Sequence, residues 1–325
     1  MEQLQKTGYL CHPQQMYTLR RMTISEGKAK GTGVIEVCTA GGLQVDILPD
    51  AGLDIGQVRY KGTNMSFISK NGYDSPAAIM PYEMEFLNFF PGGMLYTCGL
   101  RSTGGPNRDG GEYQPQHGRY HSLLAENVCT EVVDNTILIK GTVRETALFG
   151  YNLQLKRTIS IPVFGAEVSV CDELTNLAHA DEEYTLLYHC NFGYPLISEK
   201  AYLELPQERK TTARTPFAET GLGWEHTFST PTPGEEERVF FHENMPHTAA
   251  LVNESIHTKM TLTWSETLPV LAHWRSMASG DYVCGLEPTN CYIMGRVNER
   301  ENGTLPVLKP FETVKTEIKI HFETI

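Results

Sequence analysis

The stretch YNLQLKRTISIPVFGAEVSVCDELTN, residues 151–176, decides the fold class of this chain. Leu153, Leu155, Ile159 and Ile161 are separated by polar residues at alternate positions. Such alternation is typical of a half-buried antiparallel strand. The Pro-Val-Phe-Gly segment that follows contains strong turn formers. Residues 151–161 and 166–176 are therefore predicted to form a β-hairpin.

The same alternation recurs along most of the chain, whereas helical periodicity is scarce. Further predicted strands cover residues 33–37, 43–48, 53–60, 136–143, 184–189, 248–252, 259–264, 281–286 and 314–322. Residues 82–90 are predicted to form one short helix before Pro91. Many strands with few helices predict an all-β fold, a large antiparallel β-sandwich of two opposed sheets.

The chain is predicted to be a single domain over residues 1–325, with residues 1–30 as an N-terminal extension packed on it. No internal repeat, low-complexity linker or abrupt change of composition divides the sequence. At 325 residues the chain is long enough to bury one large core. Its hydrophobic content of 40 % is that of an ordinary globular protein.

The charge balance and the N-terminus bear on partners and location. A formal net charge of −12 disfavours nucleic acid and anionic membrane as partners. No apolar run is long enough to cross a bilayer, and the first residues, MEQLQK, lack a signal-peptide pattern. A cytoplasmic location is therefore expected, with the protein as a monomer or homodimer.

The cysteines agree with that location. Eight are scattered along the chain without any Cys-x-x-Cys pair. Zinc ribbons and redox motifs need such pairs. The cysteines are therefore predicted to be buried or half-buried free thiols.

Three polar residues in apolar settings are candidates for acid–base chemistry. Glu287 follows the apolar run at residues 282–286 and precedes Pro288, which predicts a carboxylate at a strand end, on the rim of a cleft. His117 and His189 lie in similarly apolar segments. Two imidazoles and a carboxylate can serve as an acid/base set for a neutral, hydroxylated substrate.

An ordered set of short motifs resembles the aldose 1-epimerase (galactose mutarotase-like) superfamily, and most closely its uncharacterised, epimerase-related bacterial branch. The resemblance extends from about residue 34 to residue 322. The motifs are His117-Gly118, the Thr-Asn that ends the predicted hairpin at Asn176, His189-Cys-Asn-Phe192, Leu286-Glu287-Pro288 and Leu308-Lys-Pro-Phe-Glu312, with Phe311 where the family usually has glycine. The resemblance implies the large galactose mutarotase-like supersandwich.

The resemblance also implies an activity, the interconversion of the anomers of a monosaccharide or modified sugar without metal or cofactor. Glu287 would be the catalytic base and His189 the catalytic acid, because a carboxylate accepts protons and an imidazole both donates and recovers them. The expected substrate-binding residues are His117, Arg119, Arg101, Asn191, Asn290 and Trp274. The family's additional acidic sugar ligand has no clear counterpart, and Glu225 is a candidate by position alone.

Three other functions stay open at this stage. A non-catalytic sugar-binding protein would not need both His189 and Glu287. A metal-dependent enzyme would use His117, His121, His189 and Glu287 as ligands, although the close His-x-His pair of many β-fold metal sites is missing. The third function is that of a carbohydrate lyase or hydrolase; hydrolysis would need two carboxylates at a defined separation, and only one is well placed.

Overall fold

The computed structural model describes residues 1–75 and 79–325, and antiparallel sheet dominates it. Strands are numbered in chain order. A five-stranded sheet has the order β1 (Tyr17–Thr23), β2 (Gly33–Thr39), β3 (Leu43–Leu48), β4 (Asp54–Tyr60) and β5 (Thr63–Asn64). An eight-stranded sheet has the order β15 (Ala201–Glu204), β18 (Thr248–Asn253), β19 (Thr258–Trp264), β23 (Thr313–Thr324), β12 (Glu167–Asn176), β11 (Asn152–Pro162), β10 (Thr136–Thr146) and β9 (Glu126–Val133).

A third sheet carries the candidate residues. It has the order β16 (Lys210–Ala213), β17 (Arg238–Glu243), β20 (Val270–Ala278), β21 (Asp281–Thr289), β14 (Thr185–Phe192) and β6 (Tyr96–Leu100). Two short pairs complete the strands, β7 (Asn107–Asp109) with β8 (Glu112–Gln114) and β13 (Glu182–Glu183) with β22 (Val307–Leu308). The α-helices are short: α1 (Glu2–Lys6), α2 (Phe86–Phe89), α3 (Pro216–Glu219) and α4 (Arg296–Glu301).

The predicted all-β sandwich is confirmed. The hairpin predicted over residues 151–176 is the pair β11–β12, with Ile159 opposite Val170. Both side chains lie in the main core, together with Leu286 from the six-stranded sheet. A smaller apolar cluster, which includes Phe90 and Val283, covers the other face of that sheet. The six-stranded sheet therefore has two covered faces, one toward the core and one toward the smaller cluster.

Two predicted boundaries are wrong. The strand expected to end before Pro288 continues as β21 to Thr289, so Glu287 lies within a central strand. The helix expected over residues 82–90 is only α2, because Glu83 has a positive φ of 44° and Phe90 is extended before Pro91.

The first 30 residues do more than cover the domain. Tyr17–Thr23 forms β1, which pairs along its whole length with β2. All eight cysteines are unpaired, but Cys11, Cys129 and Cys171 are exposed rather than buried. None of the helices in residues 1–75 and 79–325 has the length and apolar character that a bilayer crossing requires.

A buried ionic cluster ties the sheets together. Arg157 on β11 donates from Nη1 to Asp54 on β4 at 2.6 Å and from Nη2 to Asp172 on β12 at 2.7 Å. The Tyr188 hydroxyl on β14 donates to Asp172 at 2.7 Å. Each charge has an opposite partner and further hydrogen bonds, which is the condition for burying ions at tolerable cost. The strand that carries His189 is thereby fixed to the eight-stranded sheet.

We expect Asp172→Asn to lower the free energy of unfolding by about 3–5 kcal/mol, because it leaves the buried Arg157 without its bidentate partner. The matched control is Glu173→Gln on the next residue of the same strand. Glu173 pairs with Lys315 at the surface, where an ion pair contributes little. Urea denaturation of both variants provides the measurement. Equal losses in the two variants would contradict the assigned role of the cluster.

Candidate active site

The strand register brings His189 and Glu287 together. Strands β14 and β21 are antiparallel neighbours in which Cys190 pairs with Leu286. The same register places His189 opposite Glu287, one position away from that pair. Because Pro288 has no N–H to donate, the regular pairing is interrupted beside it. Residues directly opposite on antiparallel strands point to the same face, so both side chains share the outer face of the sheet.

The two side chains are close enough to exchange a proton. His189 Nε2 lies 3.1 Å from Glu287 Oε1. The contact is not aligned as a hydrogen bond, and Oε1 has no hydrogen-bond partner. Gly285 makes room for the carboxyl group, because a Cβ atom at that position would lie 2.6 Å from Oε1. The carboxyl group therefore remains free to accept or donate a hydrogen bond to a ligand.

Burial determines the protonation of this pair. His189 is 5 % exposed and Glu287 is 1 % exposed. The rings of Phe90 and Trp274 lie 5.3 Å from the His189 ring. Burial lowers the pKa of His189 to about 4. Burial also raises the pKa of Glu287 well above its ordinary value, so burial favours a protonated carboxyl group beside the neutral imidazole.

A cavity of about 370 Å³ opens onto this pair. Its polar lining is Gln116, His117, His189, Arg214, Glu237 and Glu287, and its apolar lining is Met84, Phe86, Leu87, Phe90, Val239, Trp274 and Ile293. Four buried lining atoms have no hydrogen-bond partner: Gln116 Oε1, His117 Nδ1, His189 Nδ1 and Glu287 Oε1. Unpartnered buried polar atoms are rare in native proteins. Their concentration here fits a ligand that is rich in hydroxyl groups.

His117 lines the cavity from a loop that backbone hydrogen bonds hold in place. Its backbone is in the left-handed region, with φ of 57°. Its N–H donates to Gly104 O, and its carbonyl accepts from Gly99 N. The Phe86 ring lies 4.8 Å away. Burial, together with the neighbouring His189, lowers the pKa of His117 well below its ordinary value, so this imidazole is also neutral.

Glu237 is a second acid in the cavity that sequence reasoning did not identify. Its Oε2 accepts a hydrogen bond from Trp274 Nε1 at 2.7 Å. Glu237 ends the irregular segment 228–237, whose Glu-Glu-Glu run conceals which of its acids faces inward. Glu225, the candidate by position, instead pairs with Arg209 at 2.9 Å and does not line the cavity.

Arg214 is the other cavity residue that sequence reasoning missed. It follows the last residue of β16, and its N–H donates to the carbonyl of Val239. This backbone hydrogen bond fixes the segment that carries Arg214 to β17, the strand that directly follows Glu237. An arginine at the end of a short edge strand has no sequence signature that separates it from a solvated one.

The two arginines expected to bind substrate lie outside the cavity lining. Arg101 forms ion pairs with Glu112 and Glu182. Arg119 donates from Nη2 to the carbonyl of Tyr113 at 2.6 Å. Both guanidinium groups are occupied with holding the loops behind His117 in place.

The two asparagines also contact backbone rather than the cavity. The Asn191 amide donates to Gly93 O and to His189 O. Asn290 Oδ1 accepts from Leu186 N at 2.8 Å, which joins the end of β21 to β14. Of the six expected substrate-binding residues, the structure therefore brings His117 and Trp274 to the His189–Glu287 pair.

His121 lies close to the cavity, with its ring 6.2 Å from the ring of the lining residue Phe86. Its ring stacks on Tyr96 at a centroid distance of 5.1 Å, and it does not line the cavity. Within residues 1–75 and 79–325, no group of three or more His, Cys, Asp or Glu side chains is placed to hold a metal ion.

Comparisons with known proteins identify the family and the fold of this chain. A family model described as a domain of unknown function, DUF4432, matches residues 29–322. No curated protein gives a significant sequence match. A solved structure of a candidate aldose 1-epimerase from Klebsiella pneumoniae has 25 % identity and a TM-score of 0.88, over 94 % of this chain and 83 % of that one.

More distant structures share the fold. A galactose mutarotase-like protein from Clostridium acetobutylicum has 16 % identity and a TM-score of 0.65, over 96 % of this chain and 100 % of that one. A galactose 1-epimerase from Lactobacillus acidophilus has 13 % identity and a TM-score of 0.63, over 94 % of this chain and 99 % of that one. The fold of this chain is that of the galactose mutarotase-like proteins.

We expect Glu287 to carry a proton at about pH 6, where a glutamate of ordinary pKa is ionised. The reason is the burial that raises its pKa. Difference infrared spectra of wild type and Glu287→Gln should show the stretch of a protonated carboxyl group that the variant lacks. The assignment would be contradicted if, at that pH, the variant lost the band of an ionised carboxylate and no band of a protonated carboxyl group.

Proposed function

Because the chain belongs to the DUF4432 family and has the galactose mutarotase-like fold, we propose that it is an aldose 1-epimerase-like enzyme. It interconverts the anomers of a monosaccharide or modified sugar. The observation that carries the proposal is the His189–Glu287 pair, buried and 3.1 Å apart, at a cavity of sugar size. A sugar provides the hydroxyl groups that the unpartnered atoms of this cavity lack.

The proposed reaction opens and recloses the sugar ring. Glu287 takes the proton of the C1 hydroxyl while His189 donates a proton to the ring oxygen. The bond between C1 and the ring oxygen breaks, and C1 becomes an aldehyde. Rotation about the C1–C2 bond presents the other face, and the ring closes as both protons return. Each positioned acid or base contributes about 10²–10⁴-fold to such a reaction.

The pair needs one proton in total to act. Without ligand, burial favours a protonated Glu287 and a neutral His189. A sugar hydroxyl that donates to Glu287 Oε1 stabilises the carboxylate, and Arg214 also favours that form. The proton then resides on His189, and the pair has a base opposite the C1 hydroxyl and an acid opposite the ring oxygen.

The remaining lining residues would bind the sugar. His117 Nδ1 and Gln116 Oε1 are unpartnered and can bond to ring hydroxyls. The Trp274 ring provides a flat apolar surface for one sugar face, and Glu237 holds that ring through Nε1. Arg101, Arg119, Asn191 and Asn290 would act indirectly, by positioning the strands and loops that carry these groups.

We expect Glu287→Gln to lower kcat by about 10²–10⁴-fold while the Kd for sugar changes little, because the amide keeps the shape but cannot take the proton. Relaxation of optical rotation with several aldoses measures the rate. Glu145→Gln is the matched control, since Glu145 is buried and bonded to Leu100 N outside the cavity. Wild-type turnover by Glu287→Gln would reject the role of Glu287. Saturable sugar binding without acceleration of any aldose would instead assign the protein as a sugar-binding protein.

The pH profile of kcat/KM is expected to show a broad plateau. It begins near pH 4, because below the lowered pKa of His189 the pair gains a second proton and loses its base. It ends at the raised pKa of Glu287, above which the pair loses its last proton and its acid. A narrow bell with limbs at about 4.3 and 6.5, the ordinary pKa values of glutamate and histidine, would contradict this picture.

A further inference from the structure

A second cavity, of about 290 Å³, lies on the opposite side of the six-stranded sheet from the candidate active site. It is lined by Thr220, Gly221, Trp224, Thr227, Phe228, Ser229, Glu235, Arg238 and Arg275. Trp274 and Arg275 are consecutive on β20, and successive strand residues point to opposite faces. Trp274 lines the first cavity and Arg275 the second, so the two cavities are separate.

Arg275 is a buried cation without a carboxylate partner. It is 8 % exposed. Its Nη1 donates to the carbonyls of Trp224 and Glu225 at 3.2 and 3.1 Å, and its Nε is buried without a partner. Within residues 1–75 and 79–325, no carboxylate oxygen lies within ion-pair distance of it. Burying an unpaired charge is costly, so the site favours an anion from outside the chain.

Arg238 adds a second guanidinium to the same cavity. Arg238 on β17 lies directly opposite Arg275 on the neighbouring strand β20. Its Nη1 pairs with Glu235, its guanidinium lies 4.0 Å from the centroid of the Phe217 ring, and its Nε is also unpartnered. The lining thus contains two guanidinium groups and one carboxylate. This local positive balance stands against a formal net charge of −12 for the whole chain.

We propose that this cavity binds a phosphate or sulfate group. The planar guanidinium fork matches the oxygens of such an anion, and charge-assisted bonds of this kind are the strong ones. The Ser229 and Thr227 hydroxyls in the lining can add further hydrogen bonds. Trp224, 70 % exposed at the same cavity, offers a flat apolar surface for the organic part of a phosphate ester.

Calorimetric titration with inorganic phosphate tests the proposal, with sodium chloride at equal ionic strength as the control for screening. We expect wild type to bind one phosphate. Arg275→Gln and Arg238→Gln should each weaken binding by about tenfold or more, because each removes a charge-assisted contact. Arg214→Gln is the matched control: it removes a guanidinium from the other cavity, and its phosphate affinity should stay within about twofold of wild type.

A second arm identifies the source of the anion. If glucose 6-phosphate binds more tightly than inorganic phosphate, and Trp224→Ala abolishes the difference, the ligand is a phosphate ester. If the two bind equally, the ligand is the free ion. Should Arg275→Gln fail to fold, as circular dichroism would reveal, Arg238→Gln decides, because its guanidinium is partly exposed.

Two results would overturn the proposal. One is the lack of saturable binding of phosphate, sulfate and glucose 6-phosphate by wild type. The other is binding that Arg214→Gln removes and that Arg238→Gln leaves intact, which would locate the anion in the candidate active site. The proposed 1-epimerase activity is measured separately, so its absence would leave the test of phosphate binding unaffected.

Discussion

The structure depends on one juxtaposition, an imidazole and a carboxyl group facing each other across two neighbouring strands and withdrawn from water. His189 and Glu287 are opposite because of the register of β14 and β21, and Pro288 loosens the ladder where they meet. Burial favours the uncharged form of each group, which avoids the cost of two buried ions. A ligand that supplies hydrogen bonds can then favour the charged forms of both groups, and the site needs little rearrangement for this change.

The fold keeps this pair in place from behind. Tyr188, the neighbour of His189, reaches into the opposite side of the sheet and bonds to the Arg157–Asp172 pair. Apolar rings surround the outer face, while His117 arrives on a loop fixed by backbone hydrogen bonds. Preorganisation of this kind is what an acid–base site requires, because small displacements of the reacting groups cost rate steeply. The arginines and asparagines around the cavity contribute to that rigidity through their backbone and ionic contacts.

Most of the fold and about half of the candidate site could be predicted from the sequence. Alternation predicted the β11–β12 hairpin almost to the residue, because one buried face imposes a period of two. Ordered motifs identified His117, His189 and Glu287 as candidate site residues. The sequence could not show that Arg119 and Asn290 turn toward backbone partners, since residue type reveals hydrogen-bonding capacity and not direction. Nor could it select Glu237 from its acidic run, because only the neighbouring strand brings Trp274 Nε1 within reach.

A crystal structure with a bound aldose provides the most direct test of the account. We predict that the C1 hydroxyl lies within hydrogen-bond distance of Glu287 and the ring oxygen within that distance of His189, with one sugar face against Trp274. A sugar bound with C1 turned away from both side chains would contradict the account, as would a sugar bound only at another surface.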